Sequence, residues 1–425
     1  MYLLALLYLT FIYVRPGELI PGWEGFPFVQ VLSGVVAVVG ALSYLSRPRR
    51  FWGLPHDRAV LAVWVCVALS QVAQLKLRFG YEAFADFFRV VFFYFLIRFA
   101  VRTRREFEGF IAVFLLLNLF LAGYAIRQYA MAPELEPDGS PVNLRLWVHG
   151  TGIFDDPNDL ALTLNMAVPF LLTELFRRDA SGLRRLATGA LVAPIVGAIF
   201  LSNSRGGMIG LGAAITVFSF WRFGTRAGVV AACLGLGAIV VAGPSRLALL
   251  TSQEGSAQGR IQSWSAGLAM LKSHPLFGVG FNRYTDYNPL VAHNSFVHCL
   301  GELGLVGTCA WTAMSYWLVK GGVTFRVDLD RVHPEWKRFC GMNTSILGSA
   351  AGMLTSALFL SRQYTPVLYA LVAIGACHAE IATAVGLRPP LEAKRADLKS
   401  VVILTACGVI GTWVVVRGLA TWSGG

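Results

Sequence analysis

Apolar stretches long enough to cross a bilayer recur along this chain from its first residues almost to its last, and that recurrence limits the available folds more than any motif does. They lie near 1–14, 27–46, 59–74, 82–100, 109–130, 158–176, 186–203, 206–221, 227–243, 295–319, 341–361, 365–385 and 399–417. A helix needs about 20 residues to cross the hydrocarbon core, and inside lipid its backbone groups must be satisfied within the helix itself. The composition agrees, with 56% hydrophobic and 14% charged residues, where a soluble domain carries about 25% charged residues. The expected fold is therefore all-α, a polytopic membrane protein of about 12–13 transmembrane helices.

The net charge of +12 takes its meaning from where the bases fall. Arg47, Arg49, Arg50 and Arg58 form one cluster, Arg98, Arg102, Arg104 and Arg105 a second, and Arg177, Arg178, Arg184 and Arg185 a third. Arg222 and Arg226 follow, then the stretches Lys320 to Arg338 and Arg388 to Lys399. Each cluster occupies every second loop, the positive-inside pattern, which puts those loops and the N-terminus in the cytoplasm. The alternate loops hold few bases, and "MAPELEPDGSPVN" is acidic. Bases dispersed among short loops do not form one face, so no nucleic-acid partner is expected. The first apolar stretch lacks a basic leader and a small-residue cleavage site and is expected to be a retained span.

The chain is expected to form a single membrane domain over 1–425, with a short periplasmic loop at 131–157 and a long, partly helical one at 244–294. Cys66, Cys233, Cys309, Cys377 and Cys407 lie within spans, Cys299 near an outer end and Cys340 at an inner boundary. No CxxC pair occurs, so neither structural zinc nor redox chemistry is expected.

This topology gathers the polar motifs on the outer side. In "SNSRGG" (202–207), Arg205 falls at a helix N-terminus, where free N–H groups and the helix dipole favour anions, and Gly206 and Gly207 allow close approach to the backbone. The same pattern describes a tight turn with a snorkelling arginine. In "FDDPND" (154–159), Asp156 reads as an N-cap with Pro157 at the first helical position. Asp155, Asp156 and Asp159 could alternatively hold a divalent cation, and Asn158 is placed to line the site. Arg260 opens the run "RIQSWSAGLAMLKSH", in which Ile261, Trp264, Leu268 and Leu271 recur at helical spacing, predicting an amphipathic helix on the bilayer surface. His293 precedes a helix start capped by Asn294 or Ser295, where the positive dipole end disfavours imidazolium and favours a proton-accepting histidine. A histidine beside a cap is also commonly structural. His298 and Glu302 lie one turn apart below it and are candidates to support it, and Asp86 with Arg89 reads as a pair along one helix.

The succession "GIFDDPNDLA", "SNSRGGMIG", "GRIQSW", "HPLFGVGFNRY" and "AHNSFVHCLGELGLVG" resembles the bacterial O-antigen ligase and O-antigen polymerase superfamily across roughly 150–310. That resemblance implies a metal-independent, inverting membrane glycosyltransferase that takes glycan from an undecaprenyl-diphosphate carrier at the periplasmic face. Arg205 and Arg260 would correspond to diphosphate-holding arginines and His293 to the residue that activates the acceptor hydroxyl. The acceptor would be a glycan, lipid A core or a protein hydroxyl. No P-loop is present, and "GVGFNR" lacks the third glycine of a dinucleotide fingerprint, so no nucleotide cofactor is expected. The alternative is a transporter or flippase for lipid-linked glycan, a class that usually keeps its ionisable residues near the bilayer midplane in broken helices.

Overall fold

A computed structural model describes residues 1–20, 22–23, 26, 28–46, 51–75, 77–131, 146, 148, 156–242, 254–325, 327–328 and 332–422. Among these the regular structure is helical: α1 (Tyr2–Val14), α2 (Pro16–Leu19), α3 (Phe28–Ser46), α4 (Pro55–Val72), α5 (Leu77–Ala100), α6 (Arg104–Ala130), α7 (Pro157–Leu175), α8 (Gly182–Leu201), α9 (Arg205–Phe223), α10 (Thr225–Ala242), α11 (Glu254–Ser273), α12 (Ser295–Val323), α13 (Pro334–Ala357), α14 (Pro366–Ala384) and α15 (Arg395–Trp422). Each predicted span coincides with one of them, and α11 is the helix expected inside the long loop. Five helices are long and apolar enough to cross a membrane, from α6 with a mean hydropathy of 2.2 in its most apolar window to α9 with 1.2. The others are shorter, like α1, or carry polar groups, like α5 with Arg78, Glu82, Asp86 and Arg89. On α5 the expected Arg89–Asp86 pair forms at 3.1 Å with both side chains exposed.

The chain divides into two compact units of interleaved segments. Unit 1 comprises 1–49, 96–236 and 325–356; unit 2 comprises 50–95, 237–324 and 357–425. Each is assembled from three discontinuous pieces, and three of the five boundaries fall inside helices, in α5, α10 and α13.

Unit 1 is held by small residues. Gly206, Gly210 and Ala214 repeat every fourth position on α9, as do Gly348, Gly352 and Ser356 on α13, and such stripes let helix backbones meet closely in lipid. A Cβ at Gly210 would reach Asn165 Nδ2 at 2.8 Å and the Gly352 carbonyl at 2.9 Å, as well as Ser356 Oγ; one at Gly207 would stand 2.5 Å from Ala161 Cβ. Across this seam Asn165 donates to the Gly207 carbonyl at 2.8 Å. The α13 serines donate to α7 carbonyls around Pro169, which interrupts that helix's own ladder: Ser349 Oγ to Met166 at 2.6 Å and Ser345 Oγ to Pro169 at 3.1 Å. Gly210→Val should therefore lower stability by about 1–3 kcal/mol, the usual cost of overpacking a fitted core, read as a fall in thermal midpoint in detergent. Gly212→Val, on the same helix with open space around it, should change the midpoint little.

At one end of unit 1 the N-termini of α6, α8 and α13 meet the C-terminus of α7 through arginine–carboxylate pairs, among them Arg184–Glu174 at 2.8 Å and Arg104–Glu108 at 2.8 Å. Those termini are the ones the charge pattern groups on a single side.

In unit 2, α12 packs beside α4, α11, α14 and α15. Almost every side chain of α14 is buried, whereas α15 is mostly exposed, so the former is a core helix and the latter lies at the periphery. One end is tied by Arg388 Nη1 to the Gly321 carbonyl at 2.7 Å, by the Lys320–Asp397 ion pair and by Tyr94 to Asp57 at 2.7 Å. The opposite end carries the candidate site.

Candidate functional site

The site in unit 2 is built on a broken helix. Within α12, Gly304 has φ 63° and ψ −164°, a conformation open essentially to glycine alone. The break releases the carbonyls of Gly301 and Glu302 and the N–H groups of Leu305 and Val306, which an unbroken helix would pair with one another. The segment Pro275–Gly280 replaces all four. Val279 N donates to Gly301 O at 2.9 Å and Gly280 N to Glu302 O at 3.0 Å, while Leu305 N donates to Pro275 O at 2.9 Å and Val306 N to Leu276 O at 3.1 Å. The turn-rich stretch "HPLFGVGFNRY" is thus threaded into the helix break. The end of α4 fastens its outer edge: Gln71 Nε2 donates to Phe281 O at 2.6 Å, Gln74 Nε2 to Gly278 O at 2.9 Å, and Phe281 N to Ser70 Oγ at 3.0 Å.

The half-helix before the break starts at Asn294, whose side chain accepts from Phe296 N at 3.0 Å and Val297 N at 3.1 Å, so Asn294 is the cap. Ser295, the other capping candidate, instead donates to Leu360 O at 2.6 Å and accepts from Arg362 N at 2.9 Å, fixing the loop before α14 to this end. His293 immediately precedes the cap, half-buried, with φ 48°. A non-glycine residue in that region carries strain of about 1–3 kcal/mol and marks a position that its surroundings impose.

One turn into the half-helix, His298 Nε2 and Glu302 Oε1 lie 3.0 Å apart, both buried. The same carboxylate oxygen accepts from Tyr284 N at 3.2 Å, and the Tyr284 ring stands 4.6 Å from the imidazole. Burial first, and the nearby Glu302 charge second, push the Tyr284 phenol above its ordinary value, so it stays a donor, here to the Ser263 carbonyl.

Tyr284 thereby ties α11 to this core. Helix α11 packs on α12 and α15, with Gly267 facing Val297 and Met270 facing Gly301 of α12. A Cβ at Gly267 would reach Val297 Cγ1 at 2.7 Å and the Tyr284 hydroxyl at 2.8 Å, and Trp264 Nε1 donates to Ala292 O at 2.8 Å. Two faces were present in the run, one of large apolar residues and one of small residues, and the small one decides close packing. The helix also begins at Glu254, so Arg260 lies within it, partly buried, and not at its start.

In unit 1, Ser204 caps α9 by accepting from Gly207 N at 3.0 Å, placing Arg205, exposed, at the first helical position. Gly206 and Gly207 are both buried; the Gly206 carbonyl accepts from Ser356 Oγ at 3.3 Å, and at Gly207 the approach of Ala161 demands glycine on packing grounds alone. Asp156 caps α7 by accepting from Asn158 N at 2.7 Å, with Pro157 first in the helix; Asn158 sits partly buried in that first turn, and Asp155 lies outside the described residues.

Two contributors escape a motif search, Ser70 and Gln71 with Gln74 at the end of a span, and Arg362, while Tyr284 ends the motif "HPLFGVGFNRY". The pair of amides in "SQVAQ" was the available signal, since polar groups at a span's end need partners.

Together these features define an α-helical multi-pass membrane protein with a polar site assembled around a glycine-broken helix. Residues 190–312 match the family model described as O-antigen ligase. That stretch runs from α8 into α12 and is what this chain shares with the O-antigen ligase family. It contains Arg205, Gly206, Gly207, Arg260, His293, Asn294, His298 and Glu302, but not Asn158, Ser70, Gln71, Gln74 or Arg362. No curated protein matches the chain.

Proposed function

We propose that this protein is a glycosyltransferase that moves a glycan from an undecaprenyl-diphosphate carrier to an acceptor hydroxyl at the periplasmic face, as an O-antigen ligase or polysaccharide polymerase. His293 takes the proton of the acceptor hydroxyl. The oxygen attacks the anomeric carbon from the face opposite the diphosphate, and the bond to the carrier breaks with its electron pair leaving on the diphosphate, which inverts the configuration. Arg205, in unit 1, and Arg260, in unit 2, supply planar guanidinium forks for the developing phosphate charge and do so without a metal.

The observation that carries this proposal is the strained backbone of His293 beside the Asn294 cap: Asn294 already satisfies the helix start, so the strained histidine is not needed for capping. Helix length supports the placement. At 1.5 Å per residue, Leu305–Val323 rises about 28 Å and matches the hydrocarbon thickness unaided, leaving the half-helix with His298 and Glu302 beyond it. The basic clusters put the opposite ends in the cytoplasm.

A second reading draws on the break itself, because transporters use discontinuous helices. Purified protein in detergent with carrier-linked glycan, acceptor and EDTA separates the two: glycan transfer needs no compartment, whereas transport does. Transfer should persist in EDTA. In the same assay Arg260→Lys should reduce kcat/KM by about tenfold to a hundredfold, since an ammonium keeps the charge and loses the bidentate fork. Unchanged kinetics would remove Arg260 from the diphosphate site, and transfer abolished reversibly by EDTA would return the aspartates of "FDDPND" to consideration as ligands.

A further inference from the structure

Unit 1 contains a cavity of about 300 Å³ between α6, α7, α8 and α13. Its wall is apolar along most of its length, with Leu119, Phe170 and Ile195, and its other end is bordered by Glu108, Glu174, Arg184 and Arg338. Glu174 draws three guanidinium groups, from Arg184 at 2.8 Å, Arg338 at 3.3 Å and Arg177 at 3.7 Å. Glu108 meets Arg104 at 2.8 Å and Arg338 at 3.7 Å. Asp179 and Glu335 complete the pairing of these arginines, and Arg105, Arg178, Arg185 and Lys337 on the same helix ends, opposed by Glu106 alone, leave the mouth cationic. Arg184 and Arg338 stay partly exposed, at 46% and 33%.

A cationic rim on an apolar shaft, at helix ends the charge pattern puts at a membrane surface, suits an amphiphile with a phosphate at the end of a hydrocarbon chain. Leu116 and Leu191, both lining the cavity and both exposed, open it sideways to the acyl region of a bilayer. We propose that the cavity binds one anionic phospholipid from the leaflet at the arginine-rich end, its phosphate on Arg184 and Arg338 and one acyl chain along Leu119, Phe170 and Ile195. A water-soluble phosphate would leave the shaft unfilled, and an uncharged lipid would leave the excess positive charge of the rim unmatched.

The full-length protein, purified in detergent, is mixed in separate samples with phosphatidylglycerol, phosphatidylethanolamine, diacylglycerol or glycerol 3-phosphate, and retained ligand is counted by native mass spectrometry. One phosphatidylglycerol per chain should be retained, about tenfold or more in preference to diacylglycerol. The double variant Arg184→Gln with Arg338→Gln should bring that preference close to parity. Leu191→Trp, which fills the shaft from its exposed edge and leaves the arginines in place, should lower retention of all the lipids alike; a monodisperse elution profile serves as the folding check for both variants. Retention insensitive to head group, retention unaffected by either variant, or displacement of phosphatidylglycerol by glycerol 3-phosphate at equal concentration would each overturn the assignment.

Discussion

Replacing His293 by alanine should reduce glycan transfer by about a hundredfold to ten-thousandfold, the range a positioned general base contributes, with KM for the carrier-linked donor nearly unchanged. The donor contacts assigned to Arg205 and Arg260 do not involve the imidazole, so the loss should fall on kcat. Folding should survive, because Asn294 and not His293 caps α12. Backbone strain offers a control that a merely structural histidine would fail. At φ 48° asparagine and glycine are better tolerated than most residues, so His293→Asn and His293→Gly should unfold no earlier than wild type, and the glycine variant about 1 kcal/mol later, while both lose transfer. Stability gained with activity lost is the signature of a residue held strained for function. Full transfer in a well-folded His293→Ala protein would sink the general-base role.

Gly304→Val should have the largest effect on stability, about 3 kcal/mol or more. The backbone there, φ 63° and ψ −164°, excludes a side chain on conformational grounds. A Cβ would also stand 2.5 Å from the Leu276 carbonyl carbon and 2.6 Å from Gly278 N, backbone atoms of the inserted segment that cannot turn aside as a side chain can. The variant must either expel Pro275–Gly280 or distort α12, and expulsion leaves four backbone groups without partners. Limited proteolysis should then cleave within 274–292, which wild type protects, and the thermal midpoint in detergent should fall. Gly304→Ala should move both readouts in the same direction by a smaller amount. Resistance to protease equal to wild type would show that the segment's seat in the break does not require glycine.

Much of the molecule is legible in the chain because the bilayer is a severe solvent. Twenty-residue apolar runs can resolve their backbone polarity in one way, so helix positions follow from hydropathy, and the alternation of basic loops says which ends belong together. The grouping of Arg104, Arg177, Arg184 and Arg338 in unit 1, and of Ser70, Gln71, Phe281, Ser295 and Arg362 in unit 2, agrees with that alternation. The caps at Asp156, Ser204 and Asn294 are equally local, each a short polar side chain reaching a backbone N–H two or three residues on.

What the sequence by itself determined was therefore helical class, helix positions, the paired ends and the resemblance carried by the polar motifs: quantities fixed by neighbours within a few residues or by the lipid. Tertiary structure decided the rest. Whether α11 would turn its large or its small residues inward, whether "HPLFGVGF" would lie as a surface loop or enter a broken helix, and whether Gly206 and Gly207 face a ligand or a neighbouring helix all depend on which backbone stands opposite. Partners such as Val279 and Gly301, or Asn165 and Gly207, are tens of residues apart. No local periodicity encodes a hydrogen bond that exists only because another helix has been interrupted.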